Sequence, residues 1–258
     1  MYYYYLLKIS YDGKNFHGVV PQPGVKTVIG TILDFAGVKR CRYFVVSRTD
    51  RGVSAEENYV VISLPFKVRW EEFKHQCIKI KRVFLLKKTV DIRKLSRGKL
   101  YYYYLPKSLF DEKYIFRPKY LVIDDVKIEV KWKDCEFDII KYKMAAKKFV
   151  GKHNFSNFAK GKATNGVCNI TKFNVIEYND CWLNEIEGDR FLYEMIRKII
   201  SFLVSVGKCR FPLDKVELIL DKAKLDPKPP SAPPEYLVLK KVYLDWQKLY
   251  RYIKETIF

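Results

Sequence analysis

Short strand-like runs, each cut off by turn chemistry, alternate along this chain with short amphipathic helical patterns, and that alternation limits the fold more than any other feature. Residues 2–10 read as a strand, and Tyr11-Asp12-Gly13-Lys14-Asn15 supplies a turn. Thr27 caps a helix through Phe35 that Gly37 stops. Residues 41–46 form a second strand, rich in β-branched and aromatic side chains, which breaks at Ser47-Arg48-Thr49-Asp50-Arg51-Gly52 before residues 58–64 resume as a third. Residues 71–79 read as a helix and 82–90 as a strand. The order strand–helix–strand–strand–helix–strand is that of a small α+β sandwich.

The rest of the chain supports a second unit of the same class. Residues 99–105 are a strand of consecutive tyrosines ended by Pro106, and residues 106–135 give only weak signals. Asp138 opens a helix with Ile139, Tyr142, Ala146 and Phe149 at helical spacing. Residues 171–178 and 181–187 make a hairpin across Asn179-Asp180. A long helix runs from Phe191 to Val206, the proline-rich stretch from Asp226 to Pro234 is a loop, and residues 236–244 are the last strong strand. With 258 residues and a prior of roughly one domain per 150, two α+β domains are expected, residues 1–95 and 96–258. Met1 to Leu7 lacks a basic segment and a small-residue cleavage site, so it reads as a first strand and not as a signal peptide.

Charge and composition narrow the function. Lys and Arg total 49 against 29 Asp and Glu, a formal charge of +20, for which a large polyanion is the obvious partner and a membrane surface or plain solubility charge the generic alternatives. Twenty tyrosines within a 16% aromatic content favour RNA, whose unpaired bases stack on such rings. No apolar run reaches the ~18 residues of a bilayer span, and no basic amphipathic helix has a strong apolar face, so membrane readings fall away. The cysteines (41, 77, 135, 168, 181 and 209) are scattered without the paired spacing of a zinc site, and reduced, mostly buried thiols of a cytoplasmic protein are expected. With only His17, His75 and His153 available and no clustered carboxylates, a metal enzyme is not expected.

Three places could carry chemistry. In the Ser47–Ala55 break, Asp50 sits between Arg48 and Arg51 ahead of Gly52. Nearby cations favour an ionised, nucleophilic carboxylate, although an Asp that merely closes its own turn would look the same. In the tyrosine strand, alternation sends Tyr101 and Tyr103 to one face, Tyr102 and Tyr104 to the other. One face could offer a stacking platform, or the rings could simply line a half-exposed sheet. On the 191–206 helix, Glu194, Lys198, Ser201 and Ser205 form a polar stripe, and Arg197 borders its apolar side beside Tyr193, Ile200 and Val204. Arg197 must either snorkel to solvent or meet a buried carboxylate, for which Asp50 is a candidate. On these residues alone, an RNA-modifying enzyme and a non-catalytic RNA-binding protein with RRM-like domains both remain open.

The segments Tyr11-Asp12-Gly13-Lys14-Asn15-Phe16-His17-Gly18 and Ser47-Arg48-Thr49-Asp50-Arg51-Gly52-Val53-Ser54-Ala55 resemble the two N-terminal signatures of the TruA-type tRNA pseudouridine synthases. The Lys99–Pro106 strand is similar to the family's basic-x-Tyr-x-Tyr segment, with Tyr101 at its tyrosine. His153-Asn154-Phe155-Ser156-Asn157-Phe158, Phe191-Leu192-Tyr193-Glu194-Met195-Ile196-Arg197-Lys198 and Ala232-Pro233-Pro234-Glu235-Tyr236-Leu237 resemble the C-terminal signatures, in the family's order. Two departures stand out. Val19 and Val20 occupy the usual Trp-Gln, although Gln22 remains, and Ser54 stands where a His is common.

The resemblance implies two RRM-like (ferredoxin-like) α+β domains whose sheets meet at a central basic cleft, commonly in a homodimer. It implies isomerisation of uridine to pseudouridine in tRNA, with the anticodon stem-loop as the usual target, and it requires no cofactor. In those terms Asp50 is the nucleophile, Arg197 pairs with it and Tyr101 stacks on the target base. The RNA would be gripped through Arg48, Arg51, His17, Gln22 and lysines such as Lys141, Lys147, Lys148, Lys160 and Lys162.

Overall fold

In the computed structural model, which describes residues 1–162 and 164–258, the chain is a mixed α+β protein of two units. Residues 1–101 together with 237–258 form the first unit, and residues 102–236 the second. The sequence places the change of domain at residue 95 and leaves the last strand in the second domain. In the structure that strand pairs in parallel with a strand of the first unit, Val238 opposite Ser54 and Leu239 opposite Ala55.

The first unit begins with β1 (Tyr3–Tyr11), α1 (Val28–Phe35), β2 (Arg42–Val45), β3 (Ser54–Leu64), β4 (Ile78–Leu86) and the start of β5 (Ser96–Pro106). β3 pairs antiparallel with both β1 and β2, and β1 with β4, so these strands lie in the order β4-β1-β3-β2. Thr27 caps α1 as expected, its hydroxyl accepting from Gly30 N at 3.2 Å. The helix expected at 71–79 is absent. Residues 70–72 make one 3-10 turn, His75 Nδ1 accepts from Cys77 N, and the chain then pairs along β1 from Ile78. The register of that pairing claims residues a helix would have used.

β3 is buried continuously from Asn58 to Leu64 because both faces of the sheet are covered. Tyr5 packs on Trp70, and Trp70 on Phe35 of α1, with ring centroids 5.5 and 6.2 Å apart. From the other face Tyr59 and Phe84 meet Trp246 at 6.1 and 6.0 Å. Burying large aromatic faces in this way is the main stabilising term of such a core.

The second unit continues with the end of β5, then β6 (Tyr120–Ile123), β7 (Val126–Glu129), α2 (Ile139–Lys147), β8 (Gly151–Asn154), β9 (Val167–Tyr178), β10 (Cys181–Gly188), α3 (Met195–Gly207), α4 (Val216–Asp221) and β11 (Lys224–Asp226). Asp138 caps α2, and the β9–β10 hairpin turns at Asn179 and Asp180, both as expected. Its core is phenylalanine-rich: Phe202 lies 4.9 Å from Phe211 and 5.5 Å from Phe158, which in turn lies 5.2 Å from Phe149. The chain then returns to the first unit through β12 (Leu237–Leu244), α5 (Trp246–Tyr250) and β13 (Ile253–Thr256).

Two further expectations are corrected. α3 starts at Met195 and not at Phe191, because Glu194 takes a left-handed φ of 58° that no α-helix contains. Along its polar stripe Lys198, Ser201 and Ser205 are buried with the rest of the helix. Cys135 and Cys209 form a disulfide across a sequence separation of 74, whereas Cys41, Cys77, Cys168 and Cys181 are outside any disulfide. The same two segments are joined next door, where Arg210 binds Asp134, and Arg210 also binds Glu112 from a third segment. That meeting is tertiary and leaves no local trace in cysteine spacing.

Candidate active site

Asp50 is half-buried on the loop that joins β2 to β3 in the first unit. The loop is held backbone to backbone by the segment after β1. Val19 N donates to Thr49 O at 3.3 Å and Gly52 N to Phe16 O at 3.3 Å, while within the loop itself Val53 N donates to Asp50 O at 3.2 Å. Glycine is needed at two of these approaches. Gly52 has φ of +81°, where other residues are strained, and a Cβ on Gly13 would lie 2.1 Å from Val53 O. The two departures from the resembled signature fit this packing. Val19 is fully buried beneath the loop, and Ser54 Oγ accepts from Gly13 N at 3.0 Å while donating to Asp12 at 3.4 Å.

Tyr101 closes the site within the same unit. It is 6% exposed, and its hydroxyl bonds Ser47 Oγ at 2.6 Å. Burial pushes its phenol well above the ordinary value, and the charge of Asp50 pushes the same way. Tyr103, on the same face of the strand, is fully buried in the second unit and donates to Pro233 O at 3.1 Å.

Arg197 is 8% exposed, so it does not snorkel. Within the second unit its Nε donates to Ala232 O at 2.6 Å, Ala232 N donates back to Arg197 O at 3.1 Å, and Nη1 lies 3.8 Å from Glu194. The loop before β12 therefore clamps this arginine by its own backbone. Glu194 is itself locked by Ser231 Oγ at 2.5 Å and Lys160 Nζ at 3.0 Å. Lys198 donates to Pro229 O at 2.5 Å, and burial lowers its pKa.

The remaining sequence-predicted residues divide by how free they are. Arg48, Arg51 and Gln22 are exposed, and neither arginine has an ion pair among the described residues. His17 is half-buried with Nδ1 unpartnered, and its carbonyl accepts from Gln22 Nε2 at 2.7 Å. Lys147 and Lys162 are exposed. Lys148 pairs with Glu217 at 2.5 Å, Lys160 with Glu194, and Lys141 stands 3.7 Å from Asp138, so each has part of its charge answered locally. Among the described residues no group of three or more His, Cys, Asp or Glu could hold a metal, and no helix is long and apolar enough to cross a membrane.

Sequence reasoning missed Asn58, and it named Tyr11 and Glu194 without assigning either a role. For Asn58 a signal existed, one amide at the head of the apolar run Tyr59–Leu64. Glu194 gave none, because its role follows from its backbone angle.

A family model described as tRNA pseudouridine synthase matches residues 145–245. A protein of Nanoarchaeum equitans called tRNA pseudouridine synthase A is 40% identical over 200 residues, 76% of this chain and 88% of the relative. Proteins of the same name from Thermococcus sibiricus and Pyrococcus horikoshii are 34% and 33% identical, each over 92% of this chain and 83% of the relative. With identities of this size spanning nearly the whole chain, the protein belongs to the TruA-type tRNA pseudouridine synthase family.

Proposed function

We propose that Asp50 is the nucleophile with which this tRNA pseudouridine synthase isomerises uridine, with Arg197 as its ion-pair partner and Tyr101 as the ring that meets the target base. The observation that carries the reading is the Asp50 loop itself. A carboxylate is held half-buried on a loop fixed by backbone contacts on one side, with the buried Tyr101 hydroxyl bonded to the loop's first residue. In the reaction the bond from uracil N1 to ribose C1′ breaks, the base turns, and C5 is joined to the same C1′. A proton leaves C5 and one is gained at N1, so atoms balance with no co-reactant.

Burial of Arg197 supports its role, because a guanidinium held in a dry site on a loop carbonyl is placed to bind a carboxylate through the rest of its planar fork. An Arg–carboxylate pair would keep Asp50 ionised and aimed. The target base must be turned out of its stack, at a cost of a few kcal/mol. Contacts from exposed cations such as Arg48, Arg51, Lys147 and Lys162 to phosphates would offset that cost. The strand order β4-β1-β3-β2 supports an RRM-like first unit. The accompanying proposals, a second RRM-like unit, a basic RNA cleft, an anticodon stem-loop target, a homodimer and a cytoplasmic setting, rest on the family resemblance.

The test is nucleotide-by-nucleotide mapping of pseudouridine in unmodified tRNA after incubation with the protein. The reading expects new pseudouridine with the native protein and none with Asp50→Asn. Equal product from both would remove Asp50 from the chemistry.

A further inference from the structure

Asn58 lies on β3 with no exposed surface, and both ends of its carboxamide are used. Its Oδ1 accepts from Ser47 N at 3.2 Å and Tyr59 N at 2.9 Å, and its Nδ2 donates to Ser47 O at 2.8 Å and Tyr11 Oη at 3.3 Å. A primary amide has two donors and two strong acceptor sites, so this side chain is saturated. One consequence is that both backbone polar groups of Ser47, the entry to the Asp50 loop, are held by a single side chain.

The network continues from there in two directions. Tyr11 Oη, accepting from Asn58, has its proton left for Thr49 Oγ1 at 2.7 Å. Burial pushes the Tyr11 phenol up to about 12, so it keeps that proton at neutral pH. Ser47 Oγ bonds the Tyr101 hydroxyl at 2.6 Å. The register of β1 against β3 slips between Ile9 and Tyr11, next to Asn58, a local irregularity of the kind that re-aims a side chain. Asn58, Ser47, Thr49, Tyr11 and Tyr101 are all less than 9% exposed, so water does not stand in for a lost partner. The path Thr49–Tyr11–Asn58–Ser47–Tyr101 thus ties the residue before Asp50 to the ring that closes the site.

We infer that Asn58 and Tyr11 are positioning residues for pseudouridine formation, fixing the Asp50 loop relative to the Tyr101 ring through this buried lattice. Neither touches substrate in this account, and the inference rests on the reading of Asp50 as nucleophile. Folding alone does not call for the Tyr11–Thr49 bond, because the loop is already closed by backbone bonds at Thr49, Gly52 and Val53.

The experiment compares single-turnover rate constants and tRNA dissociation constants for Tyr11→Phe, Thr49→Val, the double variant, Asn58→Ala and Asp50→Asn, each at a temperature where melting curves show it folded. Tyr11→Phe should slow product formation about tenfold or more and leave tRNA affinity within about twofold. The double variant should be no slower than Tyr11→Phe, because the Tyr11–Thr49 bond that Thr49→Val deletes is already lost in it, along with the Asn58–Tyr11 bond. Asn58→Ala should be slower still, and if it does not fold, Tyr11→Phe carries the test. A lower melting temperature with an unchanged rate constant in Tyr11→Phe would make the lattice merely structural and overturn the inference, as would single effects that multiply in the double. Product from Asp50→Asn at the native rate would instead overturn the parent reading. An inactive Asp50→Asn beside an unimpaired Tyr11→Phe would overturn only the positioning role.

Discussion

Adding a single methyl at Gly18 should move the Asp50 loop. Gly18 has φ of +94°, and a Cβ built there lies 2.9 Å from Thr49 O and 3.5 Å from Asp50 C. Contacts below 3.0 Å are essentially never made by real Cβ atoms, and the obstructing atom is backbone of the loop, so the loop must yield. A left-handed φ by itself costs a non-glycine residue about 1–2 kcal/mol. Gly37, after α1, supplies the control: its φ is +69° and nothing lies within 4 Å of its Cβ position. At roughly 2–4 °C per kcal/mol for a chain of this size, Gly37→Ala should lower the melting temperature by about 2–8 °C. Its rate constant should stay native. Gly18→Ala should lose more stability than that, and its single-turnover rate should fall about tenfold or more, because Val19 N–Thr49 O is the first bond displaced. The assay is a melting curve and a single-turnover time course on both variants. A Gly18→Ala protein with the stability loss of Gly37→Ala and a native rate constant would refute the reasoning.

Two other outcomes follow from the site and its surroundings. Arg197→Lys should rescue Arg197→Ala poorly in turnover, because an ammonium cannot both donate to Ala232 O and reproduce a planar fork on a carboxylate; equal activity of Lys and Arg would argue against the pairing. Stability should fall in acid through Glu112, whose carboxyl Arg210 holds at about 2, below the ordinary 4.5. Because the folded pKa is the lower one, this contribution is complete above about 4.5 and is lost as the pH drops towards 2. Melting temperatures recorded across that window should flatten for Arg210→Met relative to the native protein, and an identical pH slope in both would sink the assignment.

What could be read from the chain depended on how local the cause was. Caps and turns are set by a few neighbours, so Thr27, Asp138 and the Asn179-Asp180 hairpin were legible. The β6–β7 hairpin was not, although Asp124 and Asp125 turn it with φ of 47° and 63°, because a pair of aspartates is an unusual choice where glycine or asparagine is favoured. The expected helix at 71–79 failed because pairing of Ile78–Leu86 with β1 overrode local propensity. At the site, Asp50 was legible as a carboxylate between two arginines in a strand break, and Arg197 as a cation on an apolar flank. Asn58 was marked only as an amide heading an apolar run, because its importance lies in contacts to residues 11 and 47 that only the folded sheet brings together.

The central claim, that Asp50 carries out the chemistry and does not merely shape its turn, is tested most directly by two measurements on one preparation of Asp50→Asn: tRNA affinity and single-turnover pseudouridine yield with protein in excess. Asparagine keeps the size and turn-forming capacity of the residue and removes the charge and the nucleophilic oxygen. The account predicts affinity close to native, because binding rests on many cations and not on one carboxylate, together with no detectable pseudouridine. Native yield from the same preparation would contradict it.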